Sequence, residues 1–361
     1  MTVEIKKVST PSELKRFIRF NYEFYKNNPY SVPDLYDDML NTFSPEKNAA
    51  FDFCEADYFL AYKDGKMVGR VAAIINHHAN KQWNKQTVRF GWIDFIDDPE
   101  VSRALIDAVK AWGKERGMTT IEGPLGFTDL DAEGMLIEGF DQLSTMATIY
   151  NYPYYPKHIE ALGLEPSADW VEMKVYIPKE IPEKHKRISD IISRKYNLHT
   201  RKLTDKKEIL RSGVAHDIFR LINDAYEPLF NFSRMTEKQI DQYVNMYLPV
   251  LDLRMVSIVE NEQGEIVAVG ISMPSLSEAL QKAKGKLLPL GWFHLLKALK
   301  WKRPKVLDLL LVGVRPDYQG KGVNALLFTE LIPVYQQLGF EYAETNPEPV
   351  SYTHLRAHET S

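Results

Sequence analysis

LDLLLVGVRPDYQGKGVNALL, residues 307–327, begins as an apolar run rich in Leu and Val and is closed by Arg315-Pro316-Asp317. A glycine-spaced turn follows, Gln319-Gly320-Lys321-Gly322-Val323-Asn324. Beyond it Val323, Leu326, Leu327, Leu331, Val334 and Leu338 recur at helical spacing. The order is strand, turn, helix. Two near-adjacent glycines let backbone approach a ligand closely, and the first turn of a helix offers unpaired N–H groups and a positive dipole end. Together they make an anion site, most naturally for a phosphate or pyrophosphate.

Spacing separates the phosphate-loop motifs. A Walker A loop needs a glycine where Arg315 stands and a Ser or Thr after Lys321, so it is excluded. Gly320-x-Gly322-x-x-Ala325 satisfies the dinucleotide fingerprint, but a Rossmann turn puts its glycines directly after the first strand of the fold. Here five residues including a proline intervene, near the C-terminus. Val-x-Pro-x-x-Gln-Gly-x-Gly, residues 314–322, resembles motif A of the GNAT superfamily of acyl-CoA-dependent N-acyltransferases, whose core is Gln/Arg-x-x-Gly-x-Gly/Ala. Gln319 matches its first position and Gly322 its first glycine, while Asn324 stands where Gly or Ala is usual. Asn tolerates cap and left-handed geometry, so a displaced or weakened site is expected there.

A chain of 361 residues suits two domains, and its 44% hydrophobic content can fill two cores. The charges nearly cancel, at net −4 and pI about 6.2. That balance argues against DNA binding through a general basic surface. The single cysteine, Cys54, permits neither an intramolecular disulfide nor a cysteine-based metal site. The first ten residues, MTVEIKKVST, have no apolar signal region and no 18-residue apolar run occurs, so a cytoplasmic protein is expected.

The two halves repeat one order of elements. Residues 3–8 alternate as an edge strand, and Thr10-Pro11-Ser12-Glu13 caps a helix expected over 11–26. A hairpin over 58–76 turns at Asp64-Gly65. A strand (88–96), a helix (99–116) ended by Gly117, another strand (119–123), a short helix ending at Gly163 and a strand (170–177) complete the half. The second half offers a strand at 198–203, a helix at 217–226, a hairpin over 255–273 turning at Gln263-Gly264, then strand 307–314, helix 322–338, Gly339 and strand 341–345. The hairpin glycines lie 199 residues apart and the helix-ending glycines 222 apart, so about 23 extra residues sit between hairpin and strand in the second half.

The expected architecture is therefore α/β (α+β): tandem GNAT-like domains, each a mixed, mostly antiparallel sheet flanked by helices. Residues 1–178 form a degenerate copy, 179–190 a charged, proline-bearing linker, and 191–349 the acyl-CoA-binding copy. Residues 350–361, VSYTHLRAHETS, resemble translated sequencing-adapter read-through and are expected to be a non-native tail, leaving the C-terminal copy truncated near Pro349. His354-x-x-x-His358 lacks the Glu of HExxH, so no metal is expected. In the first copy Asp97-Asp98-Pro99-Glu100 replaces the glycine loop, and its carboxylates repel a pyrophosphate. The acidic, glycine-rich loop 123–139, with Asp129, Asp131 and Glu133, is either a surface loop or a contact for a cationic amine.

The resemblance implies an N-acyltransferase working by direct transfer from acetyl-CoA or a longer acyl-CoA, bound as co-substrate, to a small-molecule or peptide amine. Backbone at Val312 and Val314 would take the pantetheine arm. The loop Gln319, Gly320, Lys321, Gly322, Val323, Asn324 and Ala325 would take the pyrophosphate. Glu344 and Asp308, on the two strands that splay apart, are the candidate bases, and Tyr318, Tyr335 and Tyr342 lie near in sequence as candidate acids. Two other readings stay open: a non-catalytic acyl-CoA-binding module, and an aminoacyl-tRNA-dependent transferase on the same tandem plan. Residues 282–303 carry Lys282, Lys284, Lys286, Lys297, Lys300, Lys302 and Arg303 among Trp292, Phe293, Leu295, Leu296 and Trp301. Such a basic amphipathic stretch packs on its own domain, lies on an anionic membrane or covers an acyl chain.

Overall fold

The computed structural model describes residues 2–350. The chain divides into two compact units. One comprises the chain up to Ser167 with Asn231–Ser233 and Ser277–Leu295; the other comprises Ala168–Phe230, Arg234–Leu276 and the chain from Leu296 on.

The first unit runs β1 (Glu4–Lys7), α1 (Pro11–Phe24), α2 (Tyr36–Thr42), β2 (Cys54–Lys63), β3 (Lys66–Asn76), α3 (His77–Gln82), β4 (Thr87–Phe95), α4 (Pro99–Glu115), β5 (Thr120–Glu122) and α5 (Tyr154–Ala161). Thr10 and Glu13 close a reciprocal capping box at the start of α1, with Pro11 in its first turn. Asp64 and Gly65, at φ 54° and 72°, make the two-residue turn between β2 and β3. The five strands lie in the order β1-β2-β3-β4-β5, antiparallel except for β4 with β5. Phe17, Ile18, Phe43 and Leu60 fill one face of this sheet; Phe90, Val101, Leu105 and Val109 fill the other.

The second unit runs β6 (Trp170–Val171), β7 (Lys174–Tyr176), α6 (Glu183–Tyr196), β8 (His199–Arg201), α7 (Lys206–Ser212), α8 (Val214–Tyr226), α9 (Glu237–Tyr247), β9 (Val256–Glu260) and β10 (Ile266–Pro274). The next segments, α10 (Ser277–Ala283) and most of α11 (Gly291–Leu296), belong to the first unit. The second unit resumes with the π-turn Lys297–Trp301, β11 (Val306–Val314), α12 (Asn324–Leu338), β12 (Tyr342–Thr345) and β13 (Glu348–Pro349). Its main sheet has the order β8-β9-β10-β11-β12-β7. From β8 to β12 this repeats the first unit strand for strand, including one parallel pair, β11 with β12.

Three expectations change. The segment 179–190 is not a linker: most of it is the first part of α6, whose Ile188, Ile192 and Tyr196 pack on Val323 and Leu326. The strand expected over 170–177 is two strands, and β7 pairs antiparallel with β12, so the compact unit begins near residue 168 rather than 191. The insertion does not stay with the second half. Gln281 Nε2 donates to the carbonyls of Pro29 and Ser31 at 2.9 Å each, and the Tyr36 N–H donates to the Gly285 carbonyl at 2.7 Å. The tail expected over 350–361, with His354 and His358, lies outside the described residues except for Val350.

Candidate active site

The site grows from β11. Arg315 N–H donates to the Val267 carbonyl at 2.8 Å, so by antiparallel alternation the N–H and C=O of Val312 and Val314 point away from β10. On that side β12 accompanies β11 only from Val306↔Tyr342 to Leu309↔Thr345. Beyond Leu309 the two strands part. Leu310 is an extra residue in β11, since Ser272 pairs with Leu309 and Ile271 with Leu311. The bulge resets the alternation, so Leu307 and Leu309, then Val312 and Val314, all meet the α12 side.

Three side chains trim the opened edge. Tyr226 of α8 donates its hydroxyl to the Val312 carbonyl at 3.1 Å. Gln319 Nε2 donates to the Val314 carbonyl at 3.0 Å, and Asn346 Nδ2 to the Leu310 carbonyl at 2.6 Å. Gln319 thus ties the loop back to the strand it follows.

The loop itself turns through two left-handed glycines, Gly320 at φ 71° and Gly322 at φ 78°. A Cβ at Gly322 would stand 2.6 Å from Ile192 Cδ1, whereas one at Gly320 would meet nothing within 4 Å. Helix α6 therefore presses on the loop from behind at Gly322 and leaves Gly320 open. The amides of Lys321 and Ala325 are already used, donating to the carbonyls of Tyr318 and Gly322. Those of Gly320, Gly322, Val323 and Asn324 meet no hydrogen-bond acceptor among the described residues. The Val323 side chain is buried in the core, and Asn324 is the first residue of α12. No acidic side chain occupies that first helical turn. Lys321 Nζ lies 5.2 Å from the ring centres of both Tyr196 and Tyr318, while Arg315 is engaged by Asp317 at 2.7 Å and Glu265 at 3.1 Å. Four donors around left-handed glycines fit a pyrophosphate.

The carboxylates gather where the strands part. Asp308 and Glu344 are register partners on β11 and β12, hence on one face, opposite Leu307 and Ala343, which pack against Tyr335 and Phe340. Asp308 is 2% exposed, and neither of its oxygens has a full hydrogen bond among the described residues. Burial pushes its carboxyl up to about 7, with the Ser275 hydroxyl opposing and Glu344 and Glu172 adding to the rise. Glu344 is raised by burial, and Lys174, its register partner on β7, pulls the other way. Glu172 is pushed to about 7 by burial and then by Glu344.

Tyr335, one of the tyrosines near the motif in sequence, is turned into the core, and Tyr226, which the sequence did not single out, stands on the β11 edge. The Tyr335 hydroxyl is 2.8 Å from Ser272 Oγ inside the core, on the far side of the sheet from Asp308. Tyr226, 86 residues before Val312, stands on the strand edge instead. Neither Tyr226 nor Glu172 was visible beforehand, because long-range pairing brings them there.

The equivalent place in the first unit is closed. Strands β4 and β5 part after Arg89↔Glu122 in the same way, but the Leu125 N–H donates to the Phe90 carbonyl at 2.9 Å and the loop runs along the gap. The N-terminus of α4 is capped by its own Asp98, which also pairs with Lys63 at 2.6 Å. The loop carboxylates Asp129 and Asp131 are pushed to about 6 by burial, with Arg89 opposing. Among the described residues no group of three or more His, Cys, Asp or Glu is arranged to hold a metal ion, and no helix is long and apolar enough to cross a membrane.

No family model matches the chain. Over 314 residues it is 30% identical to the "Bacterial ceramide synthase" of Caulobacter vibrioides (strain NA1000 / CB15N), covering 86% of this chain and 80% of that protein. It is 28% identical to "Protein YghO" of Escherichia coli (strain K12) over 330 residues, 89% of this chain and 81% of that one. Among solved structures, a tandem GNAT protein from the clavulanic acid biosynthesis pathway matches 98% of this chain and 92% of its own, with a TM-score of 0.51 at 12% identity, a likeness of fold. With the repeated sheet and the motif at residues 314–322, these relationships give the chain a tandem GNAT-like fold, and it belongs to the family that contains the Caulobacter bacterial ceramide synthase.

Proposed function

We propose that this chain transfers an acyl group from acyl-CoA to the amino group of a long-chain amine, with both substrates meeting in the second unit. The observation that carries this reading is the opened β11 edge at Val312 and Val314, followed in the chain by the four unengaged amides of Gly320, Gly322, Val323 and Asn324. The name of the Caulobacter relative supports the substrate class, since a ceramide is an N-acylated long-chain amine.

In this reading the amides of Gly320, Gly322, Val323 and Asn324 hold the pyrophosphate, and the free N–H groups of Val312 and Val314 align the pantetheine arm. The thioester carbonyl is thereby placed where β11 and β12 part, so much of the catalysis is positioning. Asp308, whose carboxyl burial raises with Glu344 and Glu172 adding to the rise, removes a proton from the attacking ammonium; a carboxyl poised near 7 accepts a proton readily at neutral pH. The amine nitrogen forms the amide bond as the carbon–sulfur bond breaks. Tyr226, whose hydroxyl lies on the opened edge, gives its proton to the departing thiolate and regains one from the nitrogen as the amide forms.

The test is to incubate the 361-residue chain with acetyl-CoA, palmitoyl-CoA, and a sphingoid base or a short amine, and follow free thiol and N-acyl product by mass spectrometry. Product from the long-chain pair is expected. Acyl-CoA binding without turnover of any amine would make this a binding module instead.

A further inference from the structure

Within the first unit, residues 286–293 present an apolar surface that the acyl-transfer chemistry does not use. Leu288 is 77% exposed, Leu290 68%, Trp292 46% and Phe293 41%. These side chains are held out by a built turn. The Trp292 N–H donates to the Leu287 carbonyl at 2.8 Å, its indole Nε1 donates to the Pro289 carbonyl at 3.1 Å, and the Phe293 N–H donates to the Leu290 carbonyl at 3.1 Å. Gly291 is buried with the Lys286 carbonyl against it, where no Cβ would fit. The base of the segment is anchored through Gln281 and Gly285 to residues 29–36. Ordered, outward-pointing Leu, Trp and Phe side chains stay in contact with water at a cost unless something covers them.

The charge around them selects the cover. Residues 277–304 carry seven Lys or Arg and one Glu in a chain whose net charge is −4. Lys284 and Lys286, immediately before the apolar tip, are exposed. Aromatic and Leu side chains flanked by lysines match the interface of an anionic bilayer, where the rings sit at headgroup depth and the ammonium groups meet lipid phosphates.

We propose that residues 284–293 dock this protein on an anionic lipid bilayer, by shallow insertion of Leu288, Leu290, Trp292 and Phe293. The occupant is a membrane surface rather than an acyl chain or a second copy of the chain. The proposal agrees with a long-chain amine as substrate and rests on that reading only for its purpose; the binding itself is measured without any turnover, so either can fail alone.

The experiment is flotation of the 361-residue chain with vesicles of phosphatidylcholine containing about a third phosphatidylglycerol, and with phosphatidylcholine alone, at low and high salt. Two variants accompany it: Leu288→Ser/Leu290→Ser/Trp292→Ser/Phe293→Ser, and Lys284→Glu/Lys286→Glu. All six positions are exposed, so unchanged circular dichroism and melting confirm the folds. The expected result is binding to the anionic vesicles that falls roughly tenfold or more in each variant and weakens with salt. Anionic-vesicle binding that survives the serine variant unchanged overturns the proposal. So does absence of vesicle binding, whether the chain stays monomeric or forms a dimer by light scattering that the serine variant dissociates.

Discussion

Asp308 of β11 and Glu344 of β12 stand in register across the parallel pair, one position before the last paired residues Leu309 and Thr345. These two carboxylates on one face of adjacent strands, with Glu172 adding to the rise of Asp308 and itself raised by burial and Glu344, cannot all ionise freely in a buried setting. The proposed chemistry uses the raised carboxyl of Asp308 as its proton acceptor.

Asp308→Asn separates the stability of this arrangement from its use. The folded carboxyl titrates at about 7 against an ordinary 3.8. The folded state therefore holds a proton that the unfolded chain has lost, and stability falls as pH rises between those values. The Asn variant should remove that fall and gain about 2–4 kcal/mol over wild type at pH 8 relative to pH 4, measured by urea denaturation. Transfer should drop about 10²–10⁴-fold, and the rise of wild-type kcat/KM through pH 7 should disappear.

Tyr226→Phe keeps the ring against β11 and removes the hydroxyl on the Val312 carbonyl. The expected outcome is a fall in kcat of about 10–10²-fold with KM nearly unchanged. A change confined to KM would make Tyr226 a support of the strand edge only.

The two loop glycines should respond differently to alanine. Gly320→Ala meets open space and should lose only the about 1–2 kcal/mol of a left-handed residue with a side chain. Gly322→Ala adds the 2.6 Å approach to Ile192 Cδ1 and should cost about 3 kcal/mol or more. Thermal melts of the two variants check the ranking.

In the first unit, Arg70 and Asp94 form a buried pair at 2.7 Å, with Asn21 donating to the same carboxylate and Arg70 reaching the Phe17 carbonyl. Asp94→Ala leaves the guanidinium buried and unpaired, at an expected cost of about 3–5 kcal/mol in chemical denaturation. The acyl-CoA affinity of folded protein should not change.

Much of this fold is written locally. The capping box at Thr10 and Glu13, the Asp64-Gly65 turn and the run from β11 through Gly320 into α12 are each set by neighbours within a few residues, and the sequence shows them directly. What depends on distant chain was not legible. Pro178, Pro182 and the charges between them resemble a linker, although Ile188, Ile192 and Tyr196 at four-residue spacing signal the packed face of α6. Strand β7 reaches its place only by pairing with Tyr342–Glu344, and it carries Lys174 to the site and Glu172 with it. Likewise Gln281 and Gly285 reveal their unit only through bonds to residues 29–36. Among the loop residues the sequence marked the turn between β11 and α12 but not which amides are engaged, since that depends on the fold of the loop itself.

The most direct test is titration of the chain with palmitoyl-CoA by calorimetry, beside Gly320→Glu, whose side chain enters open space and should leave the fold intact. The account predicts saturable one-site binding to the wild type and a loss of about 10²-fold or more when the carboxylate faces the pyrophosphate. Equal binding by the two proteins would contradict it and remove the loop from the acyl-CoA site.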